Sequence, residues 1–164
     1  MKNSYFLLRW IIIISVIYAV VIKTPVTCDK KVLPAKRVNI HETIISFAKS
    51  NLGKPYVYGK IGPESFDCSG FVYAMHKYVA LKIPRTSLAQ SEVKGSKLPR
   101  NLLQAGDLLF FDTSGKGHVN HSAIYLGNGE FIHASSGKAH AVTISTLDGW
   151  YKDKFKWGKR LNAN

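Results

Sequence analysis

Cysteine is scarce in this chain: its 164 residues hold two, Cys28 and Cys68, so one bridge is the most it can form. It has no HExxH helix motif and no CxxC pair, the spacings that mark the common zinc sites. A zinc hydrolase drawing ligands from His118, His121, His133 or His140 is therefore a weak alternative, one that loss of activity on chelation would revive. No internal repeat or low-complexity tract is present, which leaves out solenoids and disordered tails. Acidic residues are few, 10 against 23 basic ones. The longest predominantly apolar run, Trp10 to Ile22 with Ser15 inside it, falls short of the roughly 20 residues that a spanning helix requires.

That run, with Lys2 ahead of it, has the form of a signal-peptide core. Residues 1–28 are accordingly expected to be a signal peptide or a membrane anchor. Lipidation at Cys28 is a further alternative, although Pro25, Val26 and Thr27 are not the usual residues before an acylated cysteine. Export would place the chain outside the cytoplasm, in an envelope compartment such as periplasm or wall. Setting aside Lys2, Arg9 and Lys23 leaves 20 basic and 10 acidic residues, so the basicity belongs to the rest of the protein. An anionic wall or membrane surface suits that balance, and export argues against nucleic acid.

The content is otherwise that of a globular domain, with 46% hydrophobic and 12% aromatic residues. Residues 29–38 read as a basic linker broken by Pro34, and 39–164 as the domain. Asn39 with Glu42 makes a capping-box-like start to a helix over roughly 40–52 that Gly53 stops. Asp67 or Ser69 caps a second helix running to about Leu81. A loop and short helix follow, and then the pattern turns to strands at 107–111, 121–127, 130–135 and 141–146, with a terminal edge strand in "KFKWGKRL". Asn128-Gly129 is a two-residue hairpin turn. Helices first and an antiparallel sheet after make an α+β domain.

Cys68 thus stands at a helix N-terminus, where backbone N–H groups and the dipole favour a thiolate. Its pKa is expected below that of a free thiol. If Cys28 is removed or acylated, Cys68 has no partner, and it is then either buried filler or a nucleophile. A nucleophile needs a base, and the base an orienting group. A two-residue turn at 128–129 pairs residues whose numbers sum to 257, so His121 lies opposite 136 and His133 opposite 124. Whether the two histidines share a face depends on the register, and His133 also fits a core position.

Five pieces in order, "GKPYVYG" (53–59), "FDCSGFV" (66–72), "IPRTSLAQ" (83–90), "AGDLLFF" (105–111) and "HSAIYLGNGEFIHAS" (121–135), resemble the NlpC-type bacterial cell-wall cysteine peptidases. Within that family the likeness is to murein endopeptidases of the MepS (Spr) type. The resemblance implies a papain-like fold, Cys68 as nucleophile, His121 as general base and His133 as the residue that orients it. It implies that Tyr56 lines the site and that Asp67 and Ser69 shape a pocket for the amine end of a stem peptide. The implied activity is hydrolysis of amide bonds in peptidoglycan stems or cross-links by a monomer needing no metal or organic cofactor. A catalytically silent wall-binding module and an exported wall-degrading toxin or effector are the alternatives. Two departures stand out: Lys60 where a second glycine is usual, and Ser122-Ala123 where Val-Gly commonly follows the histidine. His118-Val119 mimics that pattern three residues earlier, but "IYLGNG" sets the register on His121.

Overall fold

A computed structural model describes residues 39–161. The expected signal peptide or anchor, the lipidation candidate Cys28 and the linker 29–38 lie outside the described residues. Helix α1, Ile40–Lys49, begins where the Asn39 side chain accepts the His41 N–H at 3.1 Å. It ends three residues before the expected position because the Asn51 side-chain amide donates to the Phe47 carbonyl at 2.7 Å, taking the acceptor that a continuing helix would give to the Asn51 backbone.

Helix α2, Cys68–Tyr78, is capped by Asp67, whose carboxylate accepts the Gly70 N–H at 2.6 Å. The expected end near Leu81 is corrected to Tyr78: Ala80 turns left-handed at φ 60° and Leu81 N–H donates back to the His76 carbonyl. Such a stop usually carries glycine, and an alanine there gives no warning in the sequence. Helix α3, Ser87–Ser91, is a short turn capped by Thr86.

Five strands follow, β1 Leu108–Phe111, β2 His121–Gly127, β3 Glu130–Ala134, β4 Val142–Thr146 and β5 Phe155–Lys159. They form one antiparallel sheet in the order β4-β3-β2-β1-β5, so the terminal strand lies at an edge beside β1. The domain is α+β, as its element order implied. No helix among the described residues is long and apolar enough to cross a membrane.

Period-two alternation divides the strand side chains between two cores. Leu108, Phe110, Ile124 and Ile132 face α1 and α2, meeting Ile44, Phe71, Val72 and Met75. Leu109, Phe111, Ala123, Tyr125 and Phe131 form the opposite face with Leu147 and, at its margin, Tyr151 and Phe155. Burial of each such phenylalanine is worth about 2–3 kcal/mol. Together they fix the strands that carry both histidines.

The hairpin turn forms as expected, with Asn128 at φ 52° and Gly129 at φ 81°, but the expected register changes one step beyond it. Gly127 pairs with Glu130, whereas Tyr125 pairs with Phe131 and Ile124 with Ile132, leaving Leu126 as a bulge. The opposed numbers now sum to 256. Continued along β2, that register sets His121 level with Ser135, just past the end of β3 and two residues on from His133, and hence on the same face as His133. A hairpin kept at 257 would have sent the two rings to opposite faces.

Candidate active site

Three segments converge on Cys68. The loop before α2 is pinned by bridges from Pro55 to Ala141 and from Tyr56 and Ile61 to Phe66, and Phe66 is buried edge-on against Phe71 at 5.5 Å. Asp67 is almost wholly occupied: it caps α2, accepts the Gly59 N–H at 2.8 Å, and takes both Arg85 terminal nitrogens at 3.0 and 2.5 Å. Arg85 also donates to Ser69 Oγ at 2.9 Å. Asp67, not Ser69, is therefore the cap, and Ser69 is bound to the same ion pair. Gly70 is required by close approach, since a Cβ there would sit 2.1 Å from the Lys60 carbonyl oxygen. Lys60 contributes that carbonyl to Asp67 N–H at 2.9 Å, and its own backbone needs no positive φ, so a lysine is accommodated where glycine is usual.

Cys68 is partly buried and opens on a groove of about 430 Å³, with Tyr56, Asp67, Ser69, Arg85 and Ser87 in its walls. Burial pushes the thiol above its ordinary pKa, and nearby Asp67 adds to this. Hydrogen bonding with Ser87, which favours the thiolate once formed, and with the backbone N–H groups of Ser69 and Ser122 pulls it the other way without winning. The expectation of a lowered pKa from the helix N-terminus is thus reversed, because desolvation outweighs the helix-end N–H groups. Besides those N–H groups, the sulfur meets Ser87 Oγ at 3.8 Å and the Asn120 carbonyl at 3.9 Å.

His121 opens β2, the residue after Asn120. Its Nε2 meets His133 Nδ1 at 2.9 Å, and His133 Nε2 meets Ser145 Oγ at 3.0 Å. Ser145 lies opposite Phe131 on β4, and His133 opposite Thr143, so the serine is a diagonal neighbour on the same face. Phe111, Phe131 and Tyr151 enclose the pair, with His133 5.0 Å from the Phe131 ring and 5.4 Å from that of Tyr151. Burial in this box drives His121 down to about 4 and His133 well below the ordinary histidine value, the latter helped by His121. Both rings are neutral at pH 7. A second cavity of about 670 Å³ adjoins His121, walled by Ser135, Lys138, Thr143, Ser145, Trp150 and Tyr151 among others.

Tyr56 lines the Cys68 groove, where burial and the sulfur both raise its pKa. His118 lines the same groove without joining the histidine pair, and the His140 ring lies 5.7 Å from that of Tyr56. Among the described residues no three His, Cys, Asp or Glu side chains gather as metal ligands. Sequence reasoning missed Ser87, Gln90, Ser122, Ser145 and Tyr151. Ser87 and Gln90 had a signal through "IPRTSLAQ" and Ser122 through its place after His121, but none was assigned a role; Ser145 and Tyr151 join by strand pairing and by a turn far along the chain.

Residues 53–160 match the NlpC/P60 family. The chain is 37% identical over 127 residues to the probable endopeptidase YafL of Escherichia coli, covering 75% of this chain and 51% of that protein. To the murein DD-endopeptidase MepH of the same organism it is 38% identical over 105 residues, 62% of this chain and 39% of that one. The chain thus spans about half or less of the length of these curated relatives. Among solved structures, an NlpC/P60 family protein from Bacillus cereus superposes with a TM-score of 0.68 at 35% identity, covering 73% of this chain and 39% of that one. RipD of Mycobacterium tuberculosis, described as a non-catalytic NlpC/p60 domain protein adapted to peptidoglycan binding, superposes at 0.63 with 25% identity over 76% of this chain and 99% of that one.

Proposed function

Because this chain belongs to the NlpC/P60 family, we propose that it is an exported cysteine endopeptidase of the bacterial cell envelope, hydrolysing amide bonds in peptidoglycan stem peptides or cross-links. Cys68 attacks the carbonyl carbon, His121 takes the thiol proton and passes it to the departing amine, and water then hydrolyses the thioester. His133 orients His121. Tyr56 borders the reacting carbonyl, and Asp67 and Ser69 shape the pocket for a stem-peptide amine.

The observation that supports this reading most is the contact of His121 Nε2 with His133 Nδ1. With Nε2 so occupied, Nδ1 is the nitrogen left to act as base, the division of labour that a nucleophile–base–orienter series needs. The murein DD-endopeptidase MepH supports the substrate class, and the basic balance of the chain suits an anionic wall.

A non-catalytic wall-binding role is the second reading, favoured by the likeness to RipD. Mass spectrometry of muropeptides released from purified sacculi by the protein, beside Cys68→Ser, separates the two. New fragments from the wild type alone are expected, and their masses identify the bond. Binding to sacculi with no fragments from either protein would favour the second reading.

A further inference from the structure

Buried Ser122 is part of a hydrogen-bonded series whose polarity can be worked out atom by atom. Gln90 is fully buried, and its Nε2 donates to the carbonyls of Ser69 at 3.0 Å and Pro84 at 2.9 Å. A carbonyl only accepts, so the amide is fixed in one orientation and Oε1 points to Ser122. Oε1 also only accepts, so Ser122 spends its single hydroxyl proton there, at 2.8 Å. The 3.2 Å contact between Ser122 Oγ and Ser87 Oγ must then use the proton of Ser87. With that proton committed, Ser87 Oγ can only accept from Cys68 Sγ. The Asn120 carbonyl on the same sulfur is an acceptor too. These two contacts suit S–H, while the backbone N–H groups of Ser69 and Ser122 favour S⁻ and are the same whichever way Ser87 points.

We infer that Ser87 is a two-position hydroxyl switch on Cys68, held by Ser122 and Gln90 as an acceptor for the thiol and turning its proton onto the sulfur when the thiolate forms. In that step the S–H bond breaks, the sulfur keeps the electron pair, and the proton passes to His121 Nδ1, an assignment that rests on the peptidase reading. The Ser87 O–H turns away from Ser122 without any covalent change. Ser122 gives up an incoming hydrogen bond and keeps its outgoing one to Gln90. Ser122 and Gln90 are positioning residues, acting on the sulfur through Ser87.

The test is alkylation of Cys68 by iodoacetamide as a function of pH, in the full chain carrying Cys28→Ser so that one thiol is present. Ser122→Ala frees the Ser87 proton for the sulfur, and the titration midpoint is expected to fall by about one pH unit, tenfold more thiolate at a given pH below it. In a Ser87→Ala background the same substitution should do nothing. An unmoved midpoint, or an equal fall with and without Ser87, overturns the switch. Ser122→Ala leaves Gln90 Oε1 buried and unpaired; should that variant not fold, Ser87→Ala alone is decisive, because the thiolate then lacks its hydroxyl donor and the midpoint must rise. A midpoint that stays or falls overturns the proposal. The ionisable groups about the sulfur, Asp67 with Arg85, Tyr56, His118, His121 and Tyr151, are the same in every variant. Alkylation needs no peptidoglycan, so an inactive protein showing these shifts would refute the peptidase reading and leave the switch standing.

Discussion

The cysteine and the histidines occupy opposite kinds of surroundings. Cys68 sits among hydroxyls, carbonyls and the Asp67–Arg85 pair, at the end of a helix and open to a groove. His121 and His133 sit among Phe111, Phe131 and Tyr151, and among the described residues their side chains hydrogen-bond only to each other and to Ser145. Both surroundings resist charge, the first through acceptors and burial acting on a thiol, the second through an apolar box acting on imidazoles. The consequence is a neutral resting thiol and imidazole, so that in the proposed mechanism proton transfer belongs to the reaction and not to the ground state.

Deleting the proposed base is the most severe way to break the pairing of these two regions. His121→Gln is expected to lower the rate of muropeptide release by about 10³–10⁴-fold, while His118→Gln, altering a histidine on the Cys68 groove, leaves it within about threefold. Steady-state rates on purified sacculi check this. A larger loss at His118 would move the base to the wrong side of the comparison.

Much of this division was legible before any coordinates. Asp67 ahead of Cys68 reads as a cap, alternation reads as strands, and Asn128-Gly129 reads as the turn that folds β2 onto β3, because each is a local preference written in consecutive residues. The Leu126 bulge was not legible: one inserted residue has no composition of its own, yet it decides whether two histidines twelve residues apart share a face. Ser145 and Tyr151 were invisible for a similar reason, since a serine in a strand and a tyrosine in a turn acquire partners only through pairings and packing remote in sequence. The raised thiol pKa depended on the weight of burial against helix-end N–H groups, a balance that no spacing reveals.

Acid should expose the histidine region and spare the cysteine region. His121 titrates near 4 in the folded protein and near 6.5 when unfolded, so between those values the unfolded chain binds more protons. Unfolding free energy therefore rises with pH across that window and is lost as pH falls from 6.5 toward 4, by roughly 3 kcal/mol for this one group. His133, lowered in the same direction, adds to the slope. Urea unfolding at intervals from pH 7.5 to 4 should show a shallower acid slope in His121→Gln and an unchanged one in Cys68→Ser, whose thiol is neutral throughout. Equal slopes in wild type and His121→Gln would mean that the box does not exclude the charged ring.

The finest distinction concerns protons inside the histidine region. For His121 Nδ1 to accept the thiol proton in the neutral resting state, its other nitrogen must carry hydrogen, so His121 Nε2–H donates to His133 Nδ1. His133 must then carry its own proton on Nε2 and donate to Ser145 Oγ, which is free to send its hydroxyl proton into the adjoining cavity. Reversing Ser145 reverses the whole series and leaves N–H, not a lone pair, on His121 Nδ1. On the proposed mechanism Ser145 is the group that selects the tautomer: Ser145→Ala should cost about tenfold in kcat, about 1.4 kcal/mol, with KM unchanged, and Ser145→Thr should restore it. Nitrogen-15 spectra supply the check that a structural role would not move. Wild-type His121 is expected as the Nε2–H form and the alanine variant as a mixture, and an Nδ1–H form in the wild type would mean that the box holds its histidines the wrong way round for a base.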